Sequence, residues 1–225
     1  MGLYLQRKIG PVDKDAYQRH LVKTTPKVSD ILRESGLYGK DTKYRNFVAG
    51  DVLGYITPWN GEGYEQAKRF HGKFDMVSPV WFTINSKSPF KIPTHDIQKS
   101  WLHDMRADDN DNHTVKVLPR IIFDGWSNDD IIELFSNIKK RDKLISTLVD
   151  LAENYSFDGY VMEIWNQFIF VGAKKNVVTN LIIALADGLR KKGFYTILAV
   201  PPWRGSYTFI LEWTKNFLQK RILKL

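Results

Sequence analysis

Short, continuously apolar runs alternate along the chain with longer segments whose apolar residues recur every three or four positions. Five apolar runs follow Asp51, and their unbroken hydrophobicity is typical of strands covered on both faces. Their sequences are VLGYITPW from Val52, FDMVSPVWF from Phe74, VKVLPRIIF from Val115, FDGYVMEIW from Phe157 and FYTILAVPPW from Phe194. The pattern therefore predicts five strands.

Helical patterns separate these runs. Thr94 is a candidate cap for a helix carrying Trp101 and Met105, and Ser127 with Asp130 forms a capping-box signature. Two longer apolar stripes at helical spacing follow, and their members are Leu144, Leu148, Leu151 and Tyr155, then Val178, Leu181, Ile182, Leu185 and Leu189. The segment from Thr208 to Leu225 is amphipathic and predicts a terminal helix.

Strands that alternate with helices predict an α/β fold with a parallel sheet, either open and doubly wound or closed into a (β/α)8 barrel. The chain contains no glycine-rich nucleotide fingerprint, which favours the barrel. A complete barrel needs about 250 residues, whereas this chain has 225 and only five strands fit. We therefore expect a partial (β/α)8 TIM barrel over residues 51–225, preceded by a polar N-terminal extension over residues 1–50.

Composition and charge narrow the function classes. The formal net charge is +8, but the basic residues are scattered along the chain, which disfavours nucleic-acid binding. The net charge still allows a weak attraction to an anionic polysaccharide, to lipopolysaccharide or to a membrane surface. Cysteine is absent, the N-terminus lacks the apolar core of a signal peptide, and no apolar stretch is long enough for a membrane span. The acidic residues Asp108, Asp109 and Asp111 do not fit a calcium-loop spacing, so we predict no metal and no cofactor.

Five of the seven tryptophans stand at or just beyond the C-terminal ends of predicted strands. They are Trp59, Trp81, Trp126, Trp165 and Trp203. Parallel α/β folds form their ligand site at that edge, and indole faces suit the C–H faces of pyranose rings. The alternative is that some of these rings only fill the core.

The fourth run, FDGYVMEIWNQ, resembles the active-site strand of glycoside hydrolase family 18, the chitinases and chitinase-like lectins, whose pattern is D-G-x-D-x-D-x-E. Asp158 and Gly159 match that pattern, whereas Val161 and Glu163 replace the two inner aspartates and Trp165 replaces the terminal glutamate. The segments AGDVLGYITPWN, SPVWF, VLPRIIFDGW and AVPPW extend the resemblance over about residues 49–203.

The resemblance implies a secreted or lysosomal chitinase-like domain without its general acid, because the family's terminal glutamate protonates the leaving oxygen and indole cannot. Losing general acid catalysis costs roughly 10²- to 10⁴-fold in rate. The implied partners are a chitooligosaccharide or related glycan and a scavenger receptor. The candidate glycan contacts are Tyr55, Trp59, Trp81, Asp124, Trp126, Glu163, Trp165, Asn166 and Trp203.

Two alternatives remain. The first is a weak hydrolase that uses Glu163 as its acid; strand alternation places Val161, Glu163 and Trp165 on one side, with Glu163 about 6.6 Å deeper than Trp165. That depth argues against catalysis and favours a buried carboxylate paired with Arg120 on the neighbouring strand. The second alternative is a barrel fragment with open sheet edges and no independent function.

Overall fold

The computed structural model describes residues 9–43, 45, 49–106 and 114–200, together with a strand at Leu223–Lys224. Within the described helices, none is long and apolar enough to cross a membrane.

A small β-α-β unit precedes the main sheet. It consists of β1 (Gly10–Val12), α1 (Val28–Glu34) and β2 (Leu37–Gly39), with the two strands parallel and no residue of α1 buried. An aromatic ring contact and an ion pair join this region to the rest of the molecule. Tyr38 packs edge-on against Phe70 with ring centroids 5.3 Å apart, and Arg45 forms a 2.6 Å ion pair with Asp75.

The remaining strands are all parallel and are hydrogen-bonded as two sheets, one of three strands and one of five, which are here together called the main sheet; within each, the neighbours follow chain order. Its strands are β3 (Leu53–Ile56), β4 (Met76–Pro79), β5 (Phe82–Asn85), β6 (Lys116–Val117), β7 (Arg120–Asp124), β8 (Gly159–Met162), β9 (Tyr195–Leu198) and β10 (Leu223–Lys224). β4 and β5 are two segments of the second predicted run, and β6 and β7 are two segments of the third. The α/β, partial-barrel expectation is confirmed, because sequential parallel neighbours are the arrangement of a (β/α)8 barrel.

Helices connect these strands. They are α2 (Gly61–Arg69), a 3₁₀ turn (His71–Lys73), α3 (Lys99–Arg106), α4 (Asn128–Ser136), α5 (Ile138–Tyr155), α6 (Trp165–Phe170) and α7 (Lys175–Arg190). The predicted capping box at Ser127 and Asp130 is confirmed at the start of α4. Thr94 is not a cap, since α3 begins only at Lys99.

The two faces of the main sheet differ in what covers them. One face packs on the helices and forms the outer core, in which Phe82, Ile121 and Met162 are buried. The opposite face, here called the inner face, carries a smaller apolar cluster made by Met76, Leu118, Val161 and Ile197, with Leu53 and Ala199 packed against it. Alternation along each strand separates the two sets.

The end of the chain differs from its predicted form. The terminal helix expected from Thr208 to Leu225 is wrong at Leu223–Lys224, which pair in parallel with Ile197 and Leu198 of β9. The rest of that predicted helix lies outside the described part of the chain. Hydrogen bonds to a sheet edge override the helical periodicity at these two residues.

Candidate functional site

The strand that carries the family-like motif ends earlier than its sequence suggests. β8 stops at Met162, the backbone N–H of Glu163 still donates to the Ile121 carbonyl at 3.1 Å, and Ile164 already has helical angles (φ −115°, ψ −20°). α6 then begins at Trp165. Glu163 is thus the last residue that follows the alternation of the strand.

Because β8 ends early, the side chains of Glu163 and Trp165 lie on different sides of the sheet. Val161 belongs to the inner cluster, and Glu163 follows it on the same side by alternation, whereas Trp165 packs against the outer core. The prediction that all three side chains point the same way is therefore wrong for Trp165. The chain has entered a helix there, where the side-chain period is 3.6 residues instead of two.

Glu163 is bonded to Arg120 on the neighbouring strand. Arg120 Nη1 lies 2.9 Å from Glu163 Oε2, which confirms the predicted pairing. The Arg120 side chain is 19% exposed and that of Glu163 is 46% exposed. The Glu163 carboxylate is therefore accessible to solvent. In the described part of the chain, Arg120 Nε has no hydrogen-bond partner.

Tyr55 on β3 completes an inner polar cluster with Arg120 and Glu163. Burial raises the pKa of its phenol, the negative charge of Glu163 raises it further, and Arg120 opposes that rise. Tyr55 is therefore a neutral hydroxyl at physiological pH and can both donate and accept a hydrogen bond. Ser78, its register partner on β4, is fully buried, and its Oγ has no partner among the described residues.

The predicted aromatic residues divide into exposed and buried rings. Trp59 is 77% exposed in the turn that follows β3, so both its position and its exposure suit ligand contact. Trp81 and Trp126 are only 4% and 8% exposed. Trp81 Nε1 donates to Tyr64 Oη at 2.7 Å and Trp126 Nε1 donates to the Ile84 carbonyl at 2.8 Å. Their faces pack in the outer core, which corrects the expectation that they offer stacking surfaces.

The remaining predicted residues lie at the C-terminal edge. Asp124 is exposed at the end of β7, in register with Asn85 of β5. Asn166 is exposed on the first turn of α6. Trp203 lies outside the described residues. The structure thus groups Tyr55 with Glu163 and Arg120, and leaves Asp124 and Asn166 on the surrounding rim.

One exposed aromatic at this edge was missed from the sequence. Phe170, at the end of α6, is 92% exposed beside a cleft of about 420 Å³ between α6 and the loop after β7. Gln167 anchors the helix there, because its Oε1 accepts from the Phe123 backbone N–H at 3.0 Å. The available signal was Asn166 followed four residues later by Phe170, but it requires a helix directly after β8.

Asp158, the first residue of the family-like motif, serves the structure at the other end of β8. Its Oδ2 accepts from the Val117 backbone N–H at 2.7 Å and from Arg106 Nη2 at 2.9 Å. These contacts join the start of β8 to β6 and α3. Asp158 therefore fixes the strand and does not contribute to the inner polar cluster.

Known proteins similar to this chain are glycoside hydrolases. A model of glycosyl hydrolase family 85 matches residues 106–196. Among solved structures, a chitinase from Chromobacterium violaceum superposes with a TM-score of 0.54 at 19% identity, covering 70% of this chain and 47% of that one. A class V chitinase from Pseudomonas fluorescens gives 0.52 at 14% identity, covering 68% and 45%.

A class V chitinase variant from Nicotiana tobaccum, solved in complex with NAG4, gives a TM-score of 0.52 at 14% identity, covering 67% of this chain and 44% of that one. The chain thus spans about half the length of these chitinases. Similarity at this level establishes the fold: the described residues adopt part of the TIM-barrel fold seen in these chitinases.

Proposed function

We propose that residues 51–225 form a glycan-binding domain that holds chitooligosaccharides or related glycans at the C-terminal edge of the sheet without cleaving them, with residues 1–50 as an extension. The observation that carries this proposal is where the structure places Trp165 and Glu163, the two motif residues after β8. By the sequence resemblance, Trp165 stands where the family's acid would be; in the structure it packs against the outer core, while Glu163 is bonded to Arg120. In its bond to Arg120, Glu163 serves as a hydrogen-bond acceptor for a guanidinium, and an indole has no acidic proton to give to a leaving oxygen.

The binding half of the proposal depends on Tyr55, Trp59 and Glu163. A neutral phenol and a half-exposed carboxylate complement sugar hydroxyls, and the exposed indole offers a flat apolar face. The NAG4 complex of the tobacco chitinase supports this ligand class, because the two folds are alike.

The sequence motifs also support a finer hypothesis. Together, the segments TPWN and EIWNQ resemble chitinase domain-containing protein 1, a stabilin-interacting chitinase-like protein. By that resemblance we propose a secreted or lysosomal location and a scavenger-receptor partner. Lipopolysaccharide is a further candidate ligand, because the net charge of +8 attracts anionic surfaces.

The binding test is a titration with chitotetraose followed by tryptophan fluorescence and calorimetry. Trp59→Ala should weaken binding about tenfold, since a stacked aromatic contributes on the order of 1 kcal/mol or more. Tyr17→Ala is the matched control, because Tyr17 is 70% exposed in the N-terminal unit. A flat titration of the unmodified chain at millimolar ligand would contradict the proposal.

A second candidate, a slow hydrolase, is favoured by one observation. Because Trp165 leaves the strand, Glu163 is the last alternating residue of β8 and is 46% exposed, so it is not hidden beneath an indole. Release of a fluorophore from a chitobioside, abolished by Glu163→Gln and retained in Trp59→Phe, would establish this activity. A third candidate, a fragment without independent function, predicts aggregates in size-exclusion chromatography.

A further inference from the structure

The exposed face of α6 combines an amide and an aromatic ring beside a cleft. Asn166 and Phe170 are four residues apart, so they share one face of the helix, and both are exposed. Phe168, between them, is buried against Phe123 and Trp126, which fixes the helix with that pair outward. The pair is therefore presented to solvent by a rigidly packed element.

One residue of the cleft lining, Gly125, contributes no side chain. Gly125 has a positive φ of +68° and follows β7 directly, and the remaining wall includes Val171, which is 39% exposed. The cleft of about 420 Å³ falls within the size range of small-ligand sites. No charged side chain lines it among the described residues, so its chemistry suits a neutral ligand.

We infer that this α6 cleft is a second contact site for a neutral pyranose unit, with Phe170 stacking on the ring and Asn166 bonding its hydroxyls. The inference rests on the proposed glycan-binding function and extends it. Asn166 follows Glu163 by three residues, and Phe170 lies roughly 7 Å along the helix from Trp165. The cleft lies between α6 and the loop after β7, at the edge of the sheet where Glu163 ends the alternation of β8, so the proposal requires one oligosaccharide chain to pass over this edge and contact both.

The test compares two ligand lengths in two variants. Phe170→Ala should weaken chitotetraose binding about fivefold and leave chitobiose binding unchanged, because the shorter ligand is held by the inner cluster alone. Phe170→Trp should retain tetraose affinity and add a fluorescence change on binding. Since Phe170 is 92% exposed, neither substitution should shift the melting temperature. Ile138→Ala, which is 60% exposed at the start of α5, is the matched control.

The outcomes separate this inference from the proposed function. If Trp59→Ala weakens tetraose binding but Phe170→Ala does not, the α6 site is refuted and the inner site stands. If the unmodified chain binds neither sugar, both proposals fall. Equal losses in Phe170→Ala and Ile138→Ala, or a loss in Phe170→Ala that is the same for both ligands, would also overturn the second site.

Discussion

At the scale of single residues, Gly159 has a structural role at the start of β8. Its φ is +155°, and a Cβ built there would lie 2.0 Å from the Tyr195 carbonyl oxygen. That contact is with the backbone of β9, which cannot move aside without breaking the sheet pairing of β8 and β9. The Asp-Gly pair therefore has a structural reason, since Asp158 and Gly159 fix the start of β8.

Gly159→Ala should for this reason be severely destabilising, by about 3 kcal/mol or more, since it combines a forbidden backbone angle with a direct clash. Urea unfolding followed by far-UV circular dichroism measures the loss. Gly172→Ala is the control, because Gly172 also has a positive φ (+83°) but has open space around it. Equal costs in the two variants would show that the backbone angle alone matters.

Tyr160 supplies a prediction about pH. Burial raises the pKa of its phenol well above the usual value, and its hydroxyl donates to the Leu148 carbonyl at 2.7 Å. A raised folded-state pKa gives stability that is complete below about pH 10, the unfolded value, and that is lost as pH rises further. Tyr160→Phe should cost about 1 kcal/mol at pH 7 and flatten the decline of stability above pH 10. Denaturant midpoints between pH 7 and 11 test this; an unchanged decline would refute the assignment.

At the scale of elements, the capping box of α4 was predicted from the sequence and is present in the structure. Ser127 Oγ accepts from the Asp130 N–H at 3.2 Å, and Asp130 Oδ2 accepts from the Ser127 N–H at 2.8 Å. These bonds, led by the Ser127 N–H, lower the pKa of Asp130. A lowered pKa gives stability that is present above about pH 4 and lost as pH falls through the folded value.

Ser127→Ala should therefore cost about 1 kcal/mol near pH 7 and less near pH 2, where the Asp130 carboxyl is protonated. Thermal unfolding at the two pH values gives the comparison. Ser146→Ala, on the exposed side of α5, should behave like the unmodified chain because its hydroxyl bonds only to the Lys143 carbonyl. A cost that is the same at both pH values would contradict the role given to Asp130.

Element patterns also mark the limit of prediction from sequence. The five apolar runs were recognisable because they are nearly unbroken, and the stripes of α5 and α7 because burial of one helix face imposes a period. α6 was not, because six residues are too few to show a helical period, and its apolar sequence continues that of β8. Because α6 was not predicted, Trp165 was assigned to the strand and Phe170 was not recognised as an exposed aromatic residue. The sites of a barrel lie at such strand–helix junctions, so the positions of candidate site residues are harder to predict from sequence than the fold.

At the scale of the whole molecule, an ion pair joins the described residues that follow the N-terminal unit to the barrel. Arg45 bonds both oxygens of Asp75, at 2.6 and 3.1 Å, and Asp75 Oδ2 also accepts from the Val52 N–H at 2.6 Å. Both side chains are less than one quarter exposed, so this ion pair is screened less than the surface pairs of the same unit. The bond fixes the chain at the point where the polar extension enters β3.

Arg45→Met should release this attachment and cost about 2 kcal/mol, because it leaves a partly buried carboxylate with a single backbone donor. Limited proteolysis should then remove the N-terminal unit several times faster, while the barrel fragment resists digestion. Lys40→Met is the matched control, since Lys40 pairs with Asp13 and both side chains are more than two-thirds exposed. If both variants are cleaved at the rate of the unmodified chain, attachment depends instead on the packing of Tyr38 against Phe70, and Tyr38→Ala becomes the variant that separates the two units.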